Sequence, residues 1–66
     1  MRIHLNGEAR DMTEPLTISE LLESAGYSQR RVAVEVNRDI VPRSRHATHR
    51  LCDGDRVEIV QAIGGG

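Results

Sequence analysis

Apolar and polar positions alternate with period two at the start of the chain, where Ile3 and Leu5 stand against Arg2, His4 and Asn6. That is the pattern of a half-buried strand, and Asn6-Gly7 is a two-residue hairpin signal because both residue types accept positive φ. A second strand over residues 8–13 pairs back, and Pro15 ends it. Thr17-Ile18-Ser19-Glu20 reads as a capping box, a hydroxyl for the orphan backbone donors and a glutamate three residues on to return the bond. Ile18, Leu21, Leu22 and Ala25 then recur at i, i+3, i+4 and i+7, one apolar stripe of a helix whose wet side is Ser19, Glu20, Glu23 and Ser24. Gly26 is the stop. Val32, Val34 and Val36 share one face of a third strand and Ala33 and Glu35 the other, leading to a turn at Asn37-Arg38-Asp39. Ile40-Val41-Pro42 is a short strand whose proline confines it to an edge or a strand end. Residues 44–50 are polar, irregular or a single helical turn; Asp53-Gly54-Asp55 is a turn, and residues 56–63 form the last strand. The expected architecture is α+β in the order ββαββ, one helix against one sheet.

A single helix covers one face of a sheet, and the last strand tells what the other face does. With Val57 and Ile59 toward the helix, Glu58, Val60 and Ala62 point away, which puts apolar side chains where water is expected. Together with Ile63 they form a candidate partner-docking surface. The alternative is that Val60 packs under the loop formed by residues 44–52.

Directly behind that strand stands Gly64-Gly65-Gly66. At an average glycine usage of about 7%, such a run arises by chance at a chosen place roughly three times in ten thousand. Glycine lets a main chain pass close to walls, and three residues reach about 10 Å, enough to thread a narrow channel. A terminal carboxylate on Gly66 is ionised at neutral pH and is a poor acyl donor, since attack would have to expel an oxide. Activation by adenylation would make it reactive, with Mg²⁺ or Arg of a partner bringing it to ATP. The expectation is a domain over residues 1–63 with a flexible arm, Gly64, Gly65 and Gly66, that enters a partner's active site.

The 66 residues allow one domain, which buries about 60% of its unfolded surface and is stable by about 3–10 kcal/mol. That leaves little to hold a strained catalytic pocket. The single cysteine, Cys52, closes no internal disulfide, so the expected home is the cytoplasm. No apolar run approaches the roughly 20 residues of a membrane span, and the first residues lack the apolar region of a signal peptide. Net charge is −1, with nine arginines, no lysine and ten acids, and Tyr27 is the one aromatic residue. Neither the electrostatic footprint nor the stacking platform of a nucleic-acid binder is present. Arg43, Arg45 and Arg50 gather in one stretch, which reads as a solvated loop. His46-x-x-His49-x-x-Cys52 has ligand-like spacing, but a structural zinc site takes four ligands and His4 is the only further histidine. Cys52 reads as a small buried or half-buried hydrophobe. Asp53 and Asp55 bracket a turn glycine and satisfy its backbone donors.

The stretch Val34-Glu35-Val36-Asn37, then Ile40-Val41-Pro42-Arg43, His46, and residues 51–65 with Asp53-Gly54-Asp55-Arg56-Val57-Glu58-Ile59-Val60 and Ala62-Ile63-Gly64-Gly65 closely resembles the ThiS family of thiamin-biosynthesis sulfur carriers. The resemblance covers nearly the whole chain. It implies a ubiquitin-like β-grasp fold with a mixed four- to five-stranded sheet and a central first strand beside the last. It also implies that a ThiF-type adenylyltransferase adenylates Gly66 with ATP and Mg²⁺, and that sulfur from a donor such as a cysteine desulfurase then makes a thiocarboxylate. Thiazole synthase, ThiG, takes that sulfur. No cofactor, nucleic acid or membrane is implied for the carrier itself. Arg38 departs from the family, whose members often have glycine there, so its turn is of another type or is strained at positive φ. The related small subunit of molybdopterin synthase and a non-reactive ubiquitin-like module or tag are the alternatives.

Overall fold

Two hairpins, each closed by a turn that begins with asparagine, supply four of the strands. In the computed structural model, which describes residues 1–13, 16–28 and 30–61, β1 (Arg2–Leu5) pairs antiparallel with β2 (Glu8–Asp11). Asn6 and Gly7 sit at φ 49° and 86°, the twisted turn that matches the right-handed twist of its strands. β3 (Val32–Val36) pairs antiparallel with β4 (Asp39–Val41) through Asn37 and Arg38 at φ 52° and 73°. Arg38 therefore occupies the left-handed region with a Cβ, so the turn keeps the hairpin type and carries the strain.

β5 (Arg56–Gln61) enters between the hairpins, parallel to β1 and antiparallel to β3, in the sheet order β2-β1-β5-β3-β4. Three features differ from expectation. The short strand expected at Ile40 and Val41 is present as β4, so the order is ββαβββ rather than ββαββ. The middle of the sheet is β5, with β1 beside it, because the β3–β4 hairpin adds two strands on the far side and β2 only one on the near side. β2 ends at Asp11 and β4 at Val41, since Pro42 has no N–H for a ladder.

The helix α1 (Ile18–Ser24) starts as the capping box requires: Thr17 Oγ1 accepts from the Glu20 N–H at 3.2 Å and Glu20 Oε1 from the Thr17 N–H at 2.9 Å. Its first two donors go to the polar loop, Ile18 N–H to the His49 carbonyl (3.1 Å) and Ser19 N–H to the His46 carbonyl (2.9 Å). At the other end, Tyr27 N–H reaches the Leu22 carbonyl (2.8 Å) and Gly26, at φ 87°, reaches that of Glu23 (3.3 Å). This double bond is the Schellman stop. Ile18, Leu21 and Leu22 pack on Ile3, Leu5, Val34, Val36, Val57 and Ile59, with Val41 and Leu51 closing the core.

The strain at Arg38 gives a direct test. Arg38→Gly is expected to raise unfolding stability in urea by about 1 kcal/mol, the penalty for a side chain in the left-handed region less the added flexibility of the unfolded chain. Acid sensitivity gives a second. The hydrogen bond from Arg2 holds the Asp11 carboxyl below its usual range, and the Thr17 backbone N–H does the same for Glu20. The unfolded chain therefore binds more protons than the folded one in acid. This stabilisation is present above the ordinary carboxylate range, about pH 4, and is lost as pH falls through the lowered values. Glu20→Gln should flatten that part of a stability-against-pH curve.

Candidate functional site

Strand alternation divides the sheet cleanly. Val57 and Ile59 of β5 are buried toward α1, whereas Glu58 and Val60 face outward, Val60 with 56% of its surface exposed. At that exposure Val60 does not pack under residues 44–52, which removes that alternative. Ala62, Ile63, Gly64, Gly65 and Gly66 lie outside the described residues.

The register shows what surrounds Val60. Ala33 of β3 stands opposite it, and Glu35 stands opposite Glu58. On the other side of Glu35 is Ile40 of β4, 71% exposed. Val60 and Ile40 are the two large hydrophobic side chains most open to water among the described residues, and alternation places them on one face. Between them two carboxylates confront each other across adjacent strands. Like charges directly opposite are unfavourable, and neither the Arg2–Asp11 nor the Arg10–Glu8 ion pair involves them. The outer face thus presents two large apolar side chains with a pair of carboxylates between them, and Arg56 beside Glu58 on the same strand.

Two asparagines that sequence reasoning read only as turn residues hold β5 in place. Asn6 Oδ1 accepts the Ile59 N–H at 2.8 Å, and Asn37 Oδ1 accepts the Arg56 N–H at 3.0 Å. Asn37 Nδ2 also donates to Asp55 Oδ1 at 2.9 Å. The signal available in the sequence was that both begin two-residue turns, where an Asn side chain is free to reach back.

The residues weighed for other chemistry fall into structural roles. His46 is buried, with Nε2 donating to the Val41 carbonyl at 3.0 Å. Its ring fastens the end of β4 while its own carbonyl caps α1. Cys52 is exposed, against the expectation of burial, because Leu51 takes the inward position and the chain turns at once. Asp55 Oδ2 accepts the Cys52 N–H at 2.7 Å, but Asp53 Oδ1 accepts from Arg2 N–H at 2.6 Å and Gly54 N–H donates to the Arg2 carbonyl at 2.7 Å. The acidic turn is therefore tied to the start of β1, and only Asp55 serves the turn itself. Arg43, Arg45 and Arg50 are exposed. A cavity of 270 Å³ between α1, the segment after it and the 3₁₀ turn Arg43–Arg45 opens on the helix side of the sheet, with Val32 of β3 in its lining. Among the described residues no helix is long and apolar enough to cross a membrane.

Comparison with known proteins agrees with this arrangement. The chain matches the ThiS family over residues 3–66. It is 38% identical over 66 residues to the sulfur carrier protein ThiS of Escherichia coli, covering 100% of both chains. It is 46% identical over 66 residues to a thiazole synthase of Paramagnetospirillum magneticum, of whose length it spans 20%. The crystal structure of the thiamine biosynthesis protein ThiS from Geobacter metallireducens superposes with a TM-score of 0.86 at 32% identity, covering 100% of both chains. The five-stranded sheet with one helix is the ubiquitin-like β-grasp fold.

The confronted carboxylates predict a stability gain on charge reversal. Glu58→Lys should raise unfolding stability in low salt by about 0.2–1 kcal/mol, as repulsion across the strands becomes attraction, and the gain should shrink in high salt.

Proposed function

Because the chain belongs to the ThiS family, we propose that it is a sulfur carrier of thiamin biosynthesis, a co-substrate of other enzymes rather than a catalyst. The observation that carries this reading is its end-to-end similarity to the Escherichia coli sulfur carrier protein. The chemistry runs through the carboxylate of Gly66. A ThiF-type adenylyltransferase, supplying ATP and Mg²⁺, lets that carboxylate attack the α-phosphorus, so that pyrophosphate leaves and an acyl-adenylate remains. The persulfide of a donor such as a cysteine desulfurase then expels AMP to give an acyl disulfide. A second thiol attacks the donor's sulfur, leaving as a disulfide with it and releasing the thiocarboxylate. The carrier itself holds no cofactor.

The sulfur acceptor is thiazole synthase, ThiG. A thiazole synthase that contains a counterpart of this whole chain within its length supports that assignment. Gly64, Gly65 and Gly66 are the arm that enters each partner, and residues 1–63 are the body that presents it. Glu58, Val60, Ala62 and Ile63 form the docking surface. Exposed apolar surface at Val60 gives a partner contact area to bury, and the arm follows on the same strand. With a single cysteine that closes no internal disulfide, the cytoplasm is the compartment assigned.

Incubation with ATP, Mg²⁺, the adenylyltransferase and a sulfur donor should increase the intact mass by one oxygen-to-sulfur exchange. An unchanged mass would overturn the carrier reading. Deleting Gly66 should abolish the exchange and leave thermal stability unchanged. Val60→Asp should keep the fold, since the side chain is exposed, and weaken partner affinity by placing a charge in a desolvated contact; unaltered affinity would remove Val60 from the docking surface.

A further inference from the structure

β5 is paired along its whole length on one side only. Toward β3 the ladder runs from Val36↔Val57 to Val32↔Gln61. Toward β1 it stops at Leu5↔Val57, because the chain turns away at Asn6-Gly7. The hydrogen bonds show which residues face which neighbour. Asp55 and Val57 carbonyls accept from the N–H groups of His4 and Asn6, both at 2.9 Å, and the Ile59 N–H donates to the Asn6 side chain. Arg56 instead exchanges its main-chain groups with Asn37 on the β3 side. Main-chain direction alternates along a strand, so the Ile59 carbonyl and both main-chain groups of Gln61 face the β1 side, past the point where β1 has left. Among the described residues no strand lies beside them.

The other edges of the sheet are guarded. β2 is exposed throughout and carries Glu8, Arg10 and Asp11, and β4 has three residues ending before Pro42, the devices by which proteins discourage strand addition. The open stretch of β5 has none of them. It adjoins a cavity of 190 Å³ lined by His4, Gly7, Arg56, Val57 and Glu58, and it comes immediately before Ala62 and the glycine arm.

We propose that the adenylating partner adds a short extended strand to this open stretch of β5, pairing its backbone with the Ile59 carbonyl and the Gln61 N–H and carbonyl. This rests on the carrier reading and adds how the arm is gripped. Backbone pairing of this kind supplies affinity without depending on side-chain identity, and it sets the direction in which the next residues leave the sheet. The occupant is an extended peptide segment, since only backbone offers alternating donors and acceptors at strand spacing.

Amide hydrogen exchange by NMR tests the pairing. In the free carrier the Gln61 amide should exchange fast while those of Glu58 and Val60, facing β3, are protected. Adding the ThiF-type adenylyltransferase with ATP and Mg²⁺ should slow exchange at Gln61. Gln61→Pro, which removes an N–H that β3 does not use, should keep the melting temperature and lower affinity for that enzyme about fivefold, whereas Gln61→Ala should bind as the parent chain does. If the complex forms and the thiocarboxylate is made while Gln61 still exchanges fast, or if Gln61→Pro binds normally, strand addition is overturned and the carrier reading stands. If no thiocarboxylate forms with the parent chain, the carrier reading itself fails.

Discussion

A central strand bonded on both sides, to β1 in parallel and to β3 in antiparallel, is the constraint on which the rest of this small domain depends. Neither hairpin has enough apolar surface to be stable alone. β5 joins them, and its Val57 and Ile59 complete the floor on which α1 rests. The asparagine that opens each hairpin turn fastens that hairpin to β5 through its side chain. One residue thus sets the local bend and the long-range register together, so the strand before the glycine arm is fixed in position while the outer face stays bare.

The polar loop between β4 and β5 does comparable work for the helix. With seven residues, α1 is too short to persist on propensity alone. Thr17 supplies the cap, and the carbonyls of His46 and His49 take the next two donors. Burial of the His46 ring and its bond to the Val41 carbonyl keep the loop where those carbonyls are needed. What looks from spacing like a set of ligands is a clamp between helix, loop and edge strand.

Local features were legible in the residues. The hairpin at Asn6-Gly7, the capping box at Thr17 and Glu20, the stop at Gly26 and the inward and outward faces of β5 all follow from turn chemistry and periodicity, and all are found in the structure. Non-local pairings were not. The contact between Asn6 and Ile59 spans 53 positions, and nothing in either residue's neighbourhood announces the other. The place of β5 at the middle of the sheet, the inward turn of His46 and the outward turn of Cys52 depend on which strands meet. The family resemblance supplied the β-grasp fold, which periodicity alone could not have given.

Parallel pairing of β1 with β5 gives the molecule a polarity. Both strands run the same way, so Met1 lies near the acidic turn that begins β5, and Gln61 lies at the opposite pole of a body 35 Å in its longest dimension. Anything attached ahead of Met1, whether an affinity handle, a fluorescent reporter or a solid support, sits about eight strand residues, or roughly 26 Å, from Gln61 at the end of β5. The domain can be held by one pole while the other remains free to enter a cleft.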